Sequence, residues 1–118
     1  MSKPLVLIVE DDPQLSVVFS TALKVDFEVD FCQNGDFALQ QLAVTTPDLI
    51  VLDMHLPGKS GKEILEYIRA EKRFSNSKII LTTADSLLAY SLYNQADLVV
   101  LKPVSPIQLR ESAKKLFQ

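Results

Sequence analysis

Short, continuous apolar runs alternate along the chain with longer stretches in which apolar residues recur at helical spacing. The run Leu5–Val9 is apolar at every position, which is typical of a strand buried on both faces of a sheet. Residues 13–25 carry an apolar stripe at spacings of three and four, and Asp12 before Pro13 predicts an N-cap with proline at the first helical position. Further strands are predicted at residues 27–32, 49–52, 79–81 and Leu98–Leu101.

Four further helices are predicted from the same pattern. The first follows Asn34-Gly35 and carries Ala38, Leu39, Leu42 and Ala43, and the second follows Leu56-Pro57-Gly58 and carries Ile64, Leu65 and Ile68. A weaker helix covers residues 86–94. The last helix follows Pro103 and Pro106 and carries Leu109, Ala113, Leu116 and Phe117. Five strands alternating with five helices predict an α/β fold with a doubly wound parallel sheet and three α/β/α layers. Such sheets bind ligands beyond the carboxyl ends of their strands.

Length and composition fit one globular domain. The chain has 118 residues, 47% of them hydrophobic and 23% charged, which argues against disorder. Its single cysteine, Cys32, excludes an intramolecular disulfide, and its single histidine, His55, excludes a metal site built from several histidines. The apolar run before Glu10 is too short for a signal peptide or a membrane span, so we expect a cytoplasmic protein without membrane contact. The net charge of −3 offers no basic surface for direct binding of nucleic acid.

Charged and polar residues directly follow four of the predicted strands, where they would meet at one edge of the sheet. Carboxylates that converge repel one another unless a cation or a proton compensates them, and hard oxygen ligands without Cys or His suit Mg²⁺, Mn²⁺ or Ca²⁺. A metal, an ammonium and a hydroxyl around one carboxylate suit phosphoryl transfer onto that carboxylate, with an acyl phosphate as the product. The residues concerned are Glu10, Asp11, Asp53, Thr83 and Lys102.

Each residue at this edge also has a purely structural interpretation. Asp12 suits a helix cap better than a metal site, and Asp53 could begin the turn toward the next helix. Thr83 could be an ordinary residue at the end of a strand, and Lys102 a solvated lysine before a proline. The placement of all of them at one edge favours the functional interpretation.

Several segments of the chain match the pattern of a known family. They are Leu7-Ile8-Val9-Glu10-Asp11-Asp12, residues 47–58 with Gly61, Ile80-Leu81-Thr82-Thr83-Ala84, and Ala96-Asp97 through Lys102-Pro103, while Asn34-Gly35 and Ala38-Leu39 also fit. In these segments the chain resembles the receiver domain of the response regulators of two-component signalling. The resemblance covers essentially the whole chain and implies one receiver domain, residues 1–118, with the flavodoxin-like strand order 2-1-3-4-5.

The resemblance implies a phosphoryl acceptor and a metal site. Asp53 would accept a phosphoryl group from the phosphohistidine of a sensor histidine kinase or from a phosphotransfer protein. Glu10, Asp11, Asp53 and the main-chain carbonyl of His55 would hold Mg²⁺. Such domains are switches rather than enzymes, since they catalyse only their own phosphorylation and dephosphorylation.

The resemblance also implies two residues that would act on the phosphoryl group. Thr83 would donate a hydrogen bond to a phosphoryl oxygen. Lys102 would pair with Asp53 before phosphorylation and with the phosphoryl group afterwards, and its peptide bond to Pro103 is of a kind that is often cis in this family.

Two departures from the family pattern leave the output of the domain open. Val99 stands three residues before Lys102, where the family usually has Tyr or Phe, so the usual aromatic relay is missing or altered. The fourth helix is unusually apolar, which suggests either deeper packing or a surface for an output domain, a downstream protein or a second copy on the helix 4–strand 5–helix 5 face. These departures motivate an alternative function, a pseudo-receiver that binds partners independently of phosphorylation.

Two other functions are possible on the same topology, and the sequence argues against both. A flavodoxin-like electron carrier needs a Ser-, Thr- or Gly-rich phosphate loop after the first strand, where this chain has three acidic residues. A Mg²⁺-dependent phosphohydrolase with an aspartyl intermediate generally needs a cap over its substrate, for which we expect 118 residues to leave no room. The first strand also lacks the Asp-x-Asp pattern of such enzymes.

Overall fold

The computed structural model describes residues 2–118, which form a parallel five-stranded sheet flanked by helices. The strands lie in the order β2-β1-β3-β4-β5 and are β1 (Leu5–Val9), β2 (Glu28–Cys32), β3 (Leu49–Asp53), β4 (Lys78–Thr83) and β5 (Leu98–Leu101). The helices are α1 (Pro13–Leu23), α2 (Gly35–Val44), α3 (Gly61–Ala70), α4 (Ser86–Leu92) and α5 (Pro106–Lys115), with a 3₁₀ turn at Lys72–Phe74. The predicted fold class and strand order are confirmed. Across residues 2–118, no helix is both long enough and apolar enough to span a bilayer.

The core has two halves, one on each face of the sheet. Successive residues of β1 alternate between them: Val6 and Ile8 pack with side chains of α1 and α5, whereas Leu7 and Val9 pack with side chains of α2 and α3. All four side chains are buried. A central parallel strand covered on both faces must be apolar at consecutive positions, which explains the continuous run in the sequence.

Helices α1 and α5, like α4 described below, end before the apolar pattern predicts. α1 ends at Leu23, whose carbonyl accepts hydrogen bonds from the N–H groups of Asp26 and Phe27 in the turn that leads to β2. Val25, predicted to lie in this helix, is exposed. α5 ends before residues 116 and 117, and the ring of Phe117 packs edge-on against that of Phe27 at 5.5 Å between centroids. An apolar stripe can therefore continue past the last residue of a helix: Leu116 still packs against the core, whereas Phe117 is 40% exposed.

The start of α3 approaches the end of β3 closely, and only a glycine permits it. A Cβ atom on Gly61 would lie 2.5 Å from Met54 Cα and 2.6 Å from the carbonyl oxygen of Asp53. Ser60 caps the helix by accepting a hydrogen bond from the N–H of Glu63, whose carboxylate in turn accepts from the N–H of Ser60. This capping box and the glycine fix the loop that follows β3.

Helix α4 is short and weakly buried. It spans seven residues, ends at Leu92 rather than at residue 94, and Leu92 is its one fully buried side chain. Leu87 is 82% exposed, Tyr90 79% and Tyr93 67%. Of the two predicted outcomes for this apolar helix, the structure therefore shows exposure rather than deep packing.

Candidate functional site

Four strands deliver the candidate site to one edge of the sheet. Asp53 and Thr83 are the last residues of β3 and β4, and Glu10 and Lys102 directly follow β1 and β5. β1 and β4 both pair with β3, and β5 pairs with β4, so these strand ends are neighbours in space. Because all the strands are parallel, their carboxyl ends place the four side chains within reach of one another.

Lys102 bridges two buried carboxylates. Its Nζ lies 3.1 Å from Oδ2 of Asp53 and 3.2 Å from Oε1 of Glu10. Asp53 is 1% exposed and Glu10 2%. Burial opposes a charged lysine, but the hydrogen bonds and charges of Asp53 and Glu10 outweigh it and raise the pKa of Lys102. The expected ion pair between Lys102 and Asp53 is thus present in the structure.

One ammonium does not fully compensate the two buried acids. Desolvation by burial, together with the charge of Asp53, raises the pKa of Glu10 from 4.5 to about 7. The backbone N–H of Asp12, which donates to Oε2 of Glu10 at 3.1 Å, and the nearby Lys102 oppose this rise without cancelling it. The site therefore carries an excess of negative charge that a cation would relieve.

The acidic residues fit a hard divalent cation. Glu10, Asp11 and Asp53 each offer a carboxylate oxygen, and these oxygens all lie within 4.8 Å of one another. Oε1 of Glu10 is buried, and its charged neighbour at 3.2 Å is the ammonium of Lys102, which also serves Asp53. An all-oxygen donor set in a pocket with excess negative charge suits a hard divalent cation such as Mg²⁺, the ion that the resemblance implies. The acidic cluster that the resemblance to receiver domains implies is present here.

His55 contacts the site through its backbone N–H, which donates to Oδ1 of Asp53 at 3.1 Å. The predicted use of its carbonyl oxygen as a metal ligand stays a prediction. Asp12 has the structural role that the sequence favours: its side chain accepts hydrogen bonds from the N–H groups of Gln14 and Leu15 at the start of α1. Of the three acids in this run, Glu10 and Asp11 therefore belong to the acidic cluster with Asp53, whereas Asp12 caps α1.

Thr83 is completely buried, and its hydroxyl is engaged on two sides. Oγ1 lies 3.0 Å from Nε2 of His55, and it accepts a hydrogen bond from the N–H of Asp85 at 3.0 Å. The carboxylate of Asp85 in turn accepts hydrogen bonds from the first turn of α4. Thr83 thus connects the loop after β3 with the cap of α4.

Sequence reasoning did not find the contact between His55 and Thr83. The two residues are 28 positions apart, and their contact depends on the path of a loop that follows no periodic pattern. The available signal was weak: Thr83 is the last residue of β4, and His55 lies two positions after the end of β3. The cis peptide bond between Lys102 and Pro103, in contrast, is confirmed.

An acidic pocket, a buried hydroxyl and a lysine at the carboxyl edge of a doubly wound parallel sheet place this chain in the class of α/β domains whose functional site lies at that edge. The family model described as the response regulator receiver domain matches residues 6–114 of the chain. The chain therefore belongs to the response regulator receiver domain family.

Relatives of known name agree with this membership. The chain is 35% identical over 119 residues to the phosphate regulon transcriptional regulatory protein PhoB of Rhizobium meliloti, covering 98% of this chain and 52% of PhoB. It is 34% identical over 111 residues to hybrid signal transduction histidine kinase D of Dictyostelium discoideum, covering 92% of this chain and 7% of that kinase. The chain thus spans about half, or much less, of these relatives.

A solved structure with a similar fold also matches nearly end to end. The response regulator protein TrrA of Thermotoga maritima, solved in complex with Mg²⁺ and beryllofluoride, is 35% identical, with a TM-score of 0.83. The match covers 98% of this chain and 99% of TrrA. Receiver domains are signalling domains rather than enzymes in the usual sense, and they interact with histidine kinases.

Proposed function

We propose that this domain accepts a phosphoryl group on Asp53 in a Mg²⁺-dependent reaction and thereby changes the surface it presents to partners. The donor is the phosphohistidine of a sensor histidine kinase or of a phosphotransfer protein in the cytoplasm. The observation that carries the proposal is the position of Lys102, whose ammonium lies between the carboxylates of Asp53 and Glu10. A carboxylate oxygen of Asp11 lies within 4.8 Å of an oxygen of each of these two acids. This arrangement supplies a nucleophile, a cation site and a fixed ammonium in one place.

The residues divide the chemistry between them. An oxygen of Asp53 attacks phosphorus, the P–N bond of the donor breaks, and its electron pair leaves with the imidazole nitrogen. Glu10, Asp11 and Asp53 would hold Mg²⁺, which when bound supplies charge neutralisation for the phosphoryl oxygens. Lys102 offsets the charge of the resting carboxylate and then that of the product, and Thr83 donates a hydrogen bond to a phosphoryl oxygen.

The surface that would carry the output is the exposed face of α4, β5 and α5. Leu87 and Tyr90 on α4, Leu101 on β5 and Ile107 on α5 are all exposed large apolar side chains. A face of this composition suits an output domain, a downstream protein or a second copy of the chain. The net charge of −3 makes direct contact of this domain with nucleic acid unfavourable.

The experiment that tests the acceptor role is intact-mass spectrometry after incubation with Mg²⁺ and acetyl phosphate. We expect one added phosphoryl group, which is lost without Mg²⁺ and in the Asp53→Asn variant. Asp30→Asn is the matched control, because Asp30 is an exposed aspartate on β2. Full labelling of Asp53→Asn would remove Asp53 from this role.

The alternative function, a pseudo-receiver, is favoured by one observation. Val99 packs against the α2–α3 half of the core and has no ring to move between buried and exposed positions. If the domain works in this way, a partner captured by the α4 face will bind equally well with and without acetyl phosphate. A difference in affinity would contradict it.

A further inference from the structure

His55 contacts both the proposed phosphoryl acceptor and the buried hydroxyl beside it. Its backbone N–H donates to Oδ1 of Asp53 at 3.1 Å, and its ring nitrogen Nε2 lies 3.0 Å from Oγ1 of Thr83. His55 itself is exposed, whereas Thr83 is completely buried. An exposed side chain can leave its position without disturbing the core, so this contact is suited to being made and broken.

The hydrogen bonds of Thr83 determine the direction of this contact. A threonine hydroxyl has one hydrogen to donate and two lone pairs to accept with. The N–H of Asp85 already occupies one lone pair. Among residues 2–118, His55 Nε2 is the partner that remains for the hydroxyl hydrogen. A fully buried hydroxyl is expected to donate, so we assign Thr83 as the donor to Nε2, an assignment that requires the ring hydrogen of His55 to be on Nδ1.

We propose that His55 is a positioning residue that holds the Thr83 hydroxyl in the resting state and thereby opposes phosphorylation of Asp53. This inference rests on the proposed function of Asp53 and Thr83. The single hydrogen of Thr83 cannot be donated to His55 and to a phosphoryl oxygen at once. Phosphorylation therefore exchanges the Thr83–His55 bond for a bond to the phosphoryl group, and His55 makes that exchange less favourable.

The size of the effect follows from the value of one hydrogen bond. Loss of a bond of this kind changes an equilibrium by about 2- to 10-fold, since the site borders solvent and water can replace the ring. Removing the imidazole should therefore strengthen binding of a phosphoryl mimic by about 2- to 10-fold. The gain should depend entirely on the hydroxyl of Thr83, because the ring acts only through it.

The test is a double-mutant cycle with beryllofluoride and Mg²⁺ as the probe, measured by calorimetry at one fixed pH. His55→Ala should lower the dissociation constant about 2- to 10-fold in the presence of Thr83. On a Thr83→Val background, which keeps the shape and removes the hydroxyl, the same change should have no effect. His55→Gln places a side-chain acceptor at a similar reach and should restore an affinity near that of the original chain. Lys59→Ala, an exposed change in the same loop, is the matched control and should be neutral.

The outcomes separate this inference from the proposed function. Unchanged or weaker binding by His55→Ala, or an equal gain on the Thr83→Val background, overturns the role of His55 while leaving Asp53 as the acceptor. Absence of beryllofluoride binding by the original chain overturns both. Because Thr83 is buried, the Thr83→Val protein is first checked by its melting temperature, and Thr83→Ser, which keeps the hydroxyl, should show the full effect of His55→Ala.

Discussion

The charge excess of the acidic pocket predicts that one substitution will reverse its effect on stability when Mg²⁺ is added. The substitution is Asp11→Asn, which removes one negative charge from the cluster of Glu10, Asp11 and Asp53. Two unit charges at 4.8 Å repel by about 1 kcal/mol in water and about 3.5 kcal/mol at an effective dielectric constant of 20. Because Asp11 is exposed, the lower figure applies. In EDTA we therefore expect Asp11→Asn to raise the free energy of unfolding by about 1 kcal/mol, or the melting temperature by about 4 to 6 °C.

Mg²⁺ should reverse this order. A ligand present at 100 times its dissociation constant stabilises the folded state by about 2.7 kcal/mol, which outweighs the repulsion it relieves. Asp11→Asn binds the ion weakly and gains little, so it should melt below the original chain at saturating Mg²⁺. Differential scanning calorimetry of both proteins, in EDTA and in a series of Mg²⁺ concentrations, measures which of the two melts at the higher temperature in each condition.

A neighbouring substitution provides the control. Asp12→Asn removes the same charge one residue further along, but asparagine caps a helix as well as aspartate does, and Asp12 is not among the clustered ligands. This variant should keep the full response to Mg²⁺. The reasoning is refuted if Asp11→Asn is less stable than the original chain in EDTA, or if it retains the whole stabilisation by Mg²⁺.

Three further predictions concern the core, the loop after β3 and the thiol. Phe19→Ala should lower the free energy of unfolding by about 3 to 5 kcal/mol in urea titrations because Phe19 is 1% exposed, whereas Phe37→Ala, at 57% exposed, should change it by less than about 0.5 kcal/mol. Gly61→Ala should cost about 1 to 3 kcal/mol and slow labelling by acetyl phosphate, because its Cβ would lie 2.6 Å from the carbonyl oxygen of Asp53; unchanged labelling would count against that close approach. Burial raises the pKa of Cys32 from 9.0 to about 11, so Ellman's reagent should react about 100-fold more slowly with the folded chain than with the urea-unfolded chain at neutral pH. Since the folded pKa is the higher one, the free energy of unfolding should fall as pH rises from about 9 to about 11, and equal reactivity in the two states would contradict this.

The fold was predictable because its signals are local. Strands β1, β3, β4 and β5 contain apolar runs, and β2 alternates between charged and apolar residues. The N-caps Asp12, Asn34 and Ser105 stand where their helices begin. Helix ends were less predictable, since the apolar stripe continues beyond the last helical residue, as at Leu116 and Phe117 after α5. The end of a helix depends on backbone hydrogen bonds that apolar spacing does not report.

The site was predictable as a set of residues but not as a network of contacts. Parallel strands must bring their carboxyl ends together, so Glu10, Asp53 and Lys102 could be placed at one edge from the sequence. The ion pair of Lys102 with Asp53 was expected from the resemblance, but the contact of Lys102 with Glu10 and that of His55 with Thr83 depend on rotamers and loop paths. Those are set by packing in three dimensions and leave no periodic trace in the chain.

The weak burial of α4 also bears on how such a domain can change over evolutionary time. Its one fully buried side chain is Leu92, and its start is held by Asp85, whose backbone N–H is hydrogen bonded to Thr83. Leu88 is partly buried against the core, but the exposed side chains of the helix, such as Leu87 and Tyr90, can be replaced at little cost to folding. Copies of the domain that arise by gene duplication could therefore acquire new partners through α4 while the proposed chemistry at Asp53 is inherited unchanged.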